Sequence, residues 1–440
     1  MKKRVLAMLL CLSMLTGLLM GCGSKETTEE AGTETTTGSG EATTLTMWLP
    51  PLDEDTETNF KNLLADWEEE NNCTVEFEII PWGSYEERWA TGVAGGETPD
   101  IGYMYVEMYP TYISSGLVMD LTDMVTEADY EEYLFLDRGE MMGGLYGVPI
   151  VTGVPFVLYY NQDILDSLGE TAPETWDDFY RICEKATQDT DGDGVIDQYG
   201  YAVGLNSGDM SNLYILNSYI YSLLWQAGGD IYTEDLTEAA FNNEAGVEAI
   251  EFFKSLQPFM PENVMSLSGT DAFATIFAEG KAAFGVTRSS SSNETTFATS
   301  YPNLTNWDYV TSLKNVDYGT FGAADCLSVM TTSEHPELAL DLIKYITGSE
   351  FMTEYHKVAP GAPLTASEEY TGDPKMERIV AEDRDKWRPL QAGPCGSEIL
   401  ENYASHIQLI IEGKMDVKEA LDESAAFANE VLAEYYAENE

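Results

Sequence analysis

The chain has 440 residues, with 77 Asp and Glu against 22 Lys and Arg, a formal net charge of -55, and 44% hydrophobic and 11% aromatic residues. Phosphate backbones are held largely by Lys and Arg, and a charge of this sign repels nucleic acid and anionic lipid at long range, so a nucleic-acid binder is excluded. The 8 Trp, 26 Tyr and 16 Phe offer too much burial for an intrinsically disordered chain, and the length exceeds what one core holds comfortably, which predicts two lobes.

Residues 1–21 read as a signal peptide. Lys2, Lys3 and Arg4 precede an apolar run from Val5 to Met20, short for a membrane span, that closes in Leu19-Met20-Gly21-Cys22. A small residue before a cysteine at the end of such a core looks like a bacterial lipobox. Cleavage then falls before Cys22, whose sulfur takes a diacylglycerol and anchors the chain to the outer face of the cytoplasmic membrane. Without the leader, 19 basic residues face 77 acidic ones, a charge of -58. Residues 22–44 carry no large apolar side chain and read as a flexible, extended tether.

From Leu45 the sequence alternates strand and helix signals. Leu45 to Leu49 is an apolar run stopped by Pro50-Pro51, and Phe60, Leu63, Leu64 and Trp67 fall on one helical stripe. Val75, Phe77 and Ile79 alternate with Glu76 and Glu78, a strand stopped by Pro81. Ser84 with Glu87 predicts a capping box for the next helix, and Pro99-Asp100-Ile101 opens a third strand. This order predicts an α/β fold with a parallel sheet, whose ligands bind at the carboxyl ends of strands. Trp48, Trp82 and Tyr103 to Glu107, including Tyr105, are therefore cleft candidates.

Of six cysteines, Cys11 leaves with the leader and Cys22 is lipidated. Cys73, Cys183, Cys326 and Cys395 leave disulfides open, though Cys183 lies on the apolar stripe of a predicted helix, where a buried thiol is common. His335, His356 and His406 are scattered, with no zinc spacing.

One motif carries its own chemistry. Asp189, Asp191, Asp193 and Asp197 occupy positions 1, 3, 5 and 9 of an EF-hand-like loop, with Gly194 at the sharp turn and Val195 at the position that offers a backbone carbonyl. Crowded carboxylates repel unless neutralised, and hard oxygen ligands suit calcium in a structural role. Gly200 stands where the usual bidentate Glu completes the shell, and a solvated turn is the competing reading.

Several strings resemble the extracellular solute-binding proteins of family 1, which serve ABC importers, mostly for sugars. These are Gly96-Glu97-Thr98-Pro99-Asp100-Ile101, Ser115 to Leu121, Gly144-Leu145-Tyr146-Gly147-Val148-Pro149 and Leu158-Tyr159-Tyr160-Asn161. Pro173 to Phe179, Trp225 to Asp230, Phe277 to Phe284 and Asp416 to Leu421 follow in the family's order. Thr175 also reads as an N-cap with Asp178 at the capping-box position, and Trp176, Phe179, Tyr180 and Cys183 as a core stripe.

The resemblance implies a two-lobed periplasmic-binding-protein-like fold of type II, with a hinge between lobes. Lobe 1 is expected over about 45–155 plus about 290–360, and lobe 2 over about 160–285 plus the C-terminal helices. It further implies a monomer that needs no cofactor, closes on a solute and docks on the transmembrane subunits of a permease. Glu107, Trp225, Arg288 and Asp325 match positions that line the cleft in relatives, Trp387 is a further candidate, and Trp48, Trp82 and Tyr105 join them from the strand ends. A carbohydrate suits aromatic rings for its C–H faces and carboxylates for its hydroxyls. A same-fold receptor for a polyamine, peptide or iron complex stays open, to be separated by whether the cleft shows aromatic platforms or converging carboxylates. A secreted glycoside hydrolase, with two carboxylates flanking the cleft, is the enzyme reading; the chain has no Gly-x-Ser-x-Gly elbow, His-Glu-x-x-His helix or phosphate-binding loop, and is expected not to be an enzyme.

Overall fold

Three parallel strands set the first lobe: β1 (Thr43–Leu49), β2 (Cys73–Ile79) and β3 (Ile101–Met104). β1 pairs with both of the others, and its first residues lie in the stretch expected to be tether. A computed structural model describes residues 42–206, 213–288, 298–359, 361–369, 378–379 and 381–439, so Cys22, the leader and nearly all of the tether lie outside the described residues.

The connecting helices follow the predicted stripes. In Thr56–Asn71 the residues Phe60, Leu64 and Trp67 are buried, and the Trp67 indole donates to Asp341 Oδ2 at 3.0 Å. Ser84 does precede the helix Tyr85–Gly95, but it makes no capping bond. Its hydroxyl donates instead to the Pro81 carbonyl at 3.3 Å, because Trp82–Ser84 forms a 3-10 turn that leads into the helix. Glu86 and Glu87 stand in the helix's first turn, where negative charge is favourable.

A hairpin of β4 (Glu140–Met141) and β5 (Gly144–Leu145) precedes β6 (Val148–Asn161), the long strand that leaves the first lobe. β7 (Tyr199–Ala202), β8 (Ala282–Arg288), β9 (Trp307–Val310), β10 (Thr320–Val329) and β11 (Trp387–Arg388) follow. Among the described residues the main sheet runs β2-β1-β3-β10-β6-β8-β7, with β9 on β6 and β11 on β10. Near its start β6 pairs antiparallel with β10, while its second half pairs with β8 and β9. β10 in turn reaches β3 at Cys326 to Val329. Two antiparallel strands thus carry the chain between lobes, the arrangement in which a small change in strand twist swings one lobe against the other.

Each lobe has its own core. One gathers Leu45 to Ile150 with Cys326 to Leu364; the other gathers Phe156 to Val286 with Leu390 to Leu432. Leu313 and Phe321 belong to the second core, and Leu304 and Tyr309 pack with Tyr159 and Trp387 in a smaller cluster. The return to the first lobe therefore begins at Cys326 rather than near residue 290, since β9 is paired to the second-lobe half of β6.

Local chemistry agrees with the sequence elsewhere. Thr175 caps Trp176–Ala186, accepting from the Asp178 N–H at 3.2 Å and donating to its carboxylate at 2.8 Å. Trp176, Phe179 and Cys183 are buried, whereas Tyr180 is exposed. Cys73 and Cys183 are buried free thiols. The final helix, Val417–Asn439, buries Ala428 and Leu432 and comes back to the first lobe, where Tyr435 and Ser114 share a hydroxyl–hydroxyl hydrogen bond.

Candidate functional site

The carboxyl ends of β2 and β3 carry a cluster of aromatic rings. Trp82, 38% exposed, lies 5.7 Å from Tyr85, 5.9 Å from Tyr103 and 6.4 Å from Tyr105. Its indole donates to the Pro51 carbonyl at 3.3 Å, which fixes the ring while leaving one side to solvent. Pairs of this kind contribute about 0.5–1.5 kcal/mol beyond their buried area, which favours this placement of the ring.

Beneath it lies a chain of polar groups. Tyr85 donates to the Tyr103 carbonyl at 2.9 Å, and Tyr103 donates to Asp325 Oδ2 at 2.6 Å. Asp325 sits on β10 between two register shifts of its pairing with β6, irregularities that re-aim a side chain off a strand. The Tyr105 hydroxyl donates to Glu86. Glu107, in the turn after β3, is buried, and Val106 beside it packs into the second-lobe core.

The electrostatics follow from burial. Desolvation raises the Glu107 carboxyl to about 8; Asp325 and Glu86 push it the same way, while its own backbone N–H and the Arg288 charge oppose the rise. Desolvation also raises Asp325, against Arg288 and the Tyr103 hydrogen bond. Arg288, at the end of β8 with its guanidinium 5.6 Å from the Phe156 ring, is the second-lobe cation acting on both carboxyls. With its carboxyl raised to about 8, Glu107 holds a proton at neutral pH and can donate as well as accept, while Asp325 accepts from Tyr103.

Second-lobe elements close over this floor. A Cβ on Gly396 would lie 3.4 Å from the Glu107 carbonyl oxygen, and Ser397, in the first turn of Gly396–Ile411, donates to Glu86 Oε1 at 3.3 Å. An aromatic platform and converging carboxyls are thus both present.

Of the sequence candidates, Trp82, Tyr105, Glu107, Arg288 and Asp325 come together here. Three tryptophans do not offer a face. Trp48 is packed edge-on to Trp89 at 5.0 Å, with the Arg88 guanidinium 3.9 Å over its ring. Trp225 is 1% exposed, held among Tyr221 and Phe321 by an indole bond to Asp230 at 3.0 Å. Trp387 is stacked on Phe135 at 5.8 Å. Tyr85, Glu86 and Gly396 were missed. The first two could have been found as the first turn of the helix entering from the β2 end; nothing in the sequence places Gly396 beside Glu107.

The acidic loop stands apart and exposed. Among the described residues, carboxylate oxygens of Asp189, Asp191 and Asp197 lie within 4.8 Å of one another. Asp189 is held below its ordinary range chiefly by the Gly194 N–H, with Gly192 and Asp193 adding theirs. Gly192 and Gly194 take φ of +80° and +92°, the left-handed backbone such a turn needs. Asp193 is not in the group; its carboxylate accepts from the Val195 N–H at 2.8 Å.

Comparison with known proteins agrees with this architecture. The bacterial extracellular solute-binding protein family matches residues 53–353. The chain is similar to the galactooligosaccharide-binding protein of Bacillus subtilis (strain 168), 23% identical with 97% of each chain covered. Among solved structures it resembles an ABC substrate-binding protein from Listeria monocytogenes in complex with cycloalternan, 20% identical, TM-score 0.72, covering 89% of this chain and 99% of that one. It also resembles a Thermotoga lettingae solute-binding protein bound with alpha-D-tagatose, 20% identical, TM-score 0.71, covering 89% and 100%. With a family match over more than half of its length and two lobes joined by crossing strands, the chain belongs to the bacterial extracellular solute-binding proteins.

Proposed function

We propose that this protein captures a neutral carbohydrate, an oligosaccharide, between its lobes and hands it to the transmembrane subunits of an ABC importer, hanging meanwhile from the membrane by a lipid on Cys22. The observation that carries the reading is the half-exposed Trp82 platform set above Asp325 and Glu107. A sugar presents an apolar C–H face to the ring and hydroxyls, which both donate and accept, to the two carboxyls, and it touches both lobes at once. A solute that contacts both walls favours the closed arrangement by its differential affinity for it. Galactooligosaccharide and cycloalternan binding in relatives of the same architecture supports the same class. The site acts by binding; no bond of the solute is altered.

Thermal unfolding with mono- and oligosaccharides, amino acids and polyamines tests this. Solute at about 1,000 times its dissociation constant adds about 4 kcal/mol. Stabilisation confined to saccharides is expected; stabilisation by polyamines alone would transfer the same cleft to a cation.

The close approach of Asp189, Asp191 and Asp197 supports a structural calcium in the acidic loop, with Asp193 and the Val195 carbonyl free to join on binding. It serves the second lobe's fold rather than the solute.

A further inference from the structure

Where the two crossing strands root in the second lobe, the structure leaves a cavity of about 50 Å³ that none of the cleft groups lines. Phe156 of β6 and Thr320 of β10 belong to its wall, as do Ser218 and Ser222 from the helical segment packed on the strands. Phe156, Thr320 and Ser218 are buried, and Ser222 is half-buried.

Most of the polar wall has its hydrogen bonds. Thr320 donates to the Phe156 carbonyl at 2.6 Å, and Ser312 accepts from the Gly319 N–H at 2.9 Å. Gln226 accepts from the Trp176 indole at 2.7 Å and donates to the Gly319 carbonyl at 2.9 Å. Ser218 differs. It is 4% exposed, and among the described residues its hydroxyl has no partner. A serine inside a helix often turns back to the carbonyl four residues before it, but Ser218 sits in a π-turn, Leu216–Ile220, bonded i to i+5 rather than i to i+4. Ser222 follows one turn later, and its contacts with the Thr320 hydroxyl and the Phe321 N–H are both 3.4 Å, longer than the usual range of about 2.5–3.2 Å.

A buried hydroxyl without a protein partner is normally met by water. At about 10–15 Å³ each, the cavity has room for about three to five such molecules. Helical residues four apart stand about 5–6 Å from one another at Cβ, so one molecule between Ser218 and Ser222 reaches both.

We propose that this cavity is a hydration site, which binds a small cluster of water at the second-lobe root of the hinge, one member bridging Ser218 and Ser222. Each serine offers a donor and two acceptor positions, whereas cavities that stay empty or take apolar guests are lined by hydrocarbon alone. The helix then meets the roots of β6 and β10 through exchangeable molecules, at the point where Thr320 ties these strands together. The site is independent of the carbohydrate reading, since no cleft residue belongs to it.

A crystal structure of the full chain without solute, a second under xenon pressure, and thermal unfolding of Ser218→Ala test this. Ordered oxygen is expected within about 2.5–3.2 Å of the Ser218 and Ser222 hydroxyls, with no xenon in the cavity. Ser218→Ala deletes only the hydroxyl; the variant is expected to lose the bridging oxygen and to melt about 2–4 °C lower, the shift for one hydrogen bond in a domain-sized lobe. A cavity that is empty in wild type, or that takes xenon, would overturn the site. So would a Ser218→Ala melting temperature at or above that of wild type, the result for a hydroxyl buried with no partner at all.

Discussion

Tyr103 of β3 donates its phenol to Asp325 of β10 at 2.6 Å, joining the edge of the first-lobe parallel sheet to a strand that crosses between lobes. The bond gives a buried carboxyl a partner at the point where β10 is irregular. Tyr103→Phe is expected to lower stability by about 1–3 kcal/mol, the range for a buried group left unpaired. Urea unfolding measures it, and no change would mean that Arg288 alone satisfies Asp325.

The exposed and the buried tryptophan separate binding from folding. Trp82→Ala is expected to cost little stability and to weaken saccharide binding about tenfold or more, the equivalent of about 1.4 kcal/mol. Trp225→Ala removes a fully buried ring and is expected to destabilise by about 3–5 kcal/mol. Calorimetry beside thermal unfolding reads both; a large loss of affinity without loss of stability in Trp225→Ala would return that ring to the cleft.

Glu107 makes stability depend on pH. Burial raises its carboxyl from the ordinary 4.5 to about 8, so between these values the folded chain holds a proton that the unfolded chain releases. The contribution is present below about pH 4.5 and lost as pH rises through about 8. A slope of up to about 1.4 kcal/mol per pH unit follows from one such proton, and Glu107→Gln is expected to flatten it across the same window. Urea midpoints of the two proteins, compared over that range, check the expectation.

Calcium should stabilise through the acidic loop alone. A chelator is expected to lower the melting temperature of wild type and to leave Asp189→Asn unmoved, since Asp189 anchors the turn through three backbone N–H groups. Equal melting temperatures with calcium and with chelator would make the loop a solvated turn.

Local patterns were legible in the sequence because they depend on neighbours. The alternation at Val75, Phe77 and Ile79, the stripe of Phe60, Leu64 and Trp67, and the Thr175 cap are decided within a few residues, and each stands where expected. The cleft was only partly legible. Proximity to a strand end pointed to Trp82 and Glu107, and equally to Trp48, whose exposure is set by Arg88 and Trp89. The resemblance pointed to Asp325 and Arg288, and also to Trp225, whose faces are covered by Tyr221 and Phe321; Trp387, a further candidate, is covered by Phe135. Whether a ring is a platform or a filler depends on partners far away in sequence, and no periodicity reports them.

The hydrogen bond between Ser114 and Tyr435 places the tail of the last helix at the seam between the lobes. A helix of one lobe that touches the opposite lobe works as a built-in gauge. A solvatochromic dye attached beside Tyr435 will change colour as the seam opens, with no label in the cleft and no knowledge of the solute. By the same logic, a bulky group attached at Tyr435 bears on the opening equilibrium itself, and binding measurements are best made without it.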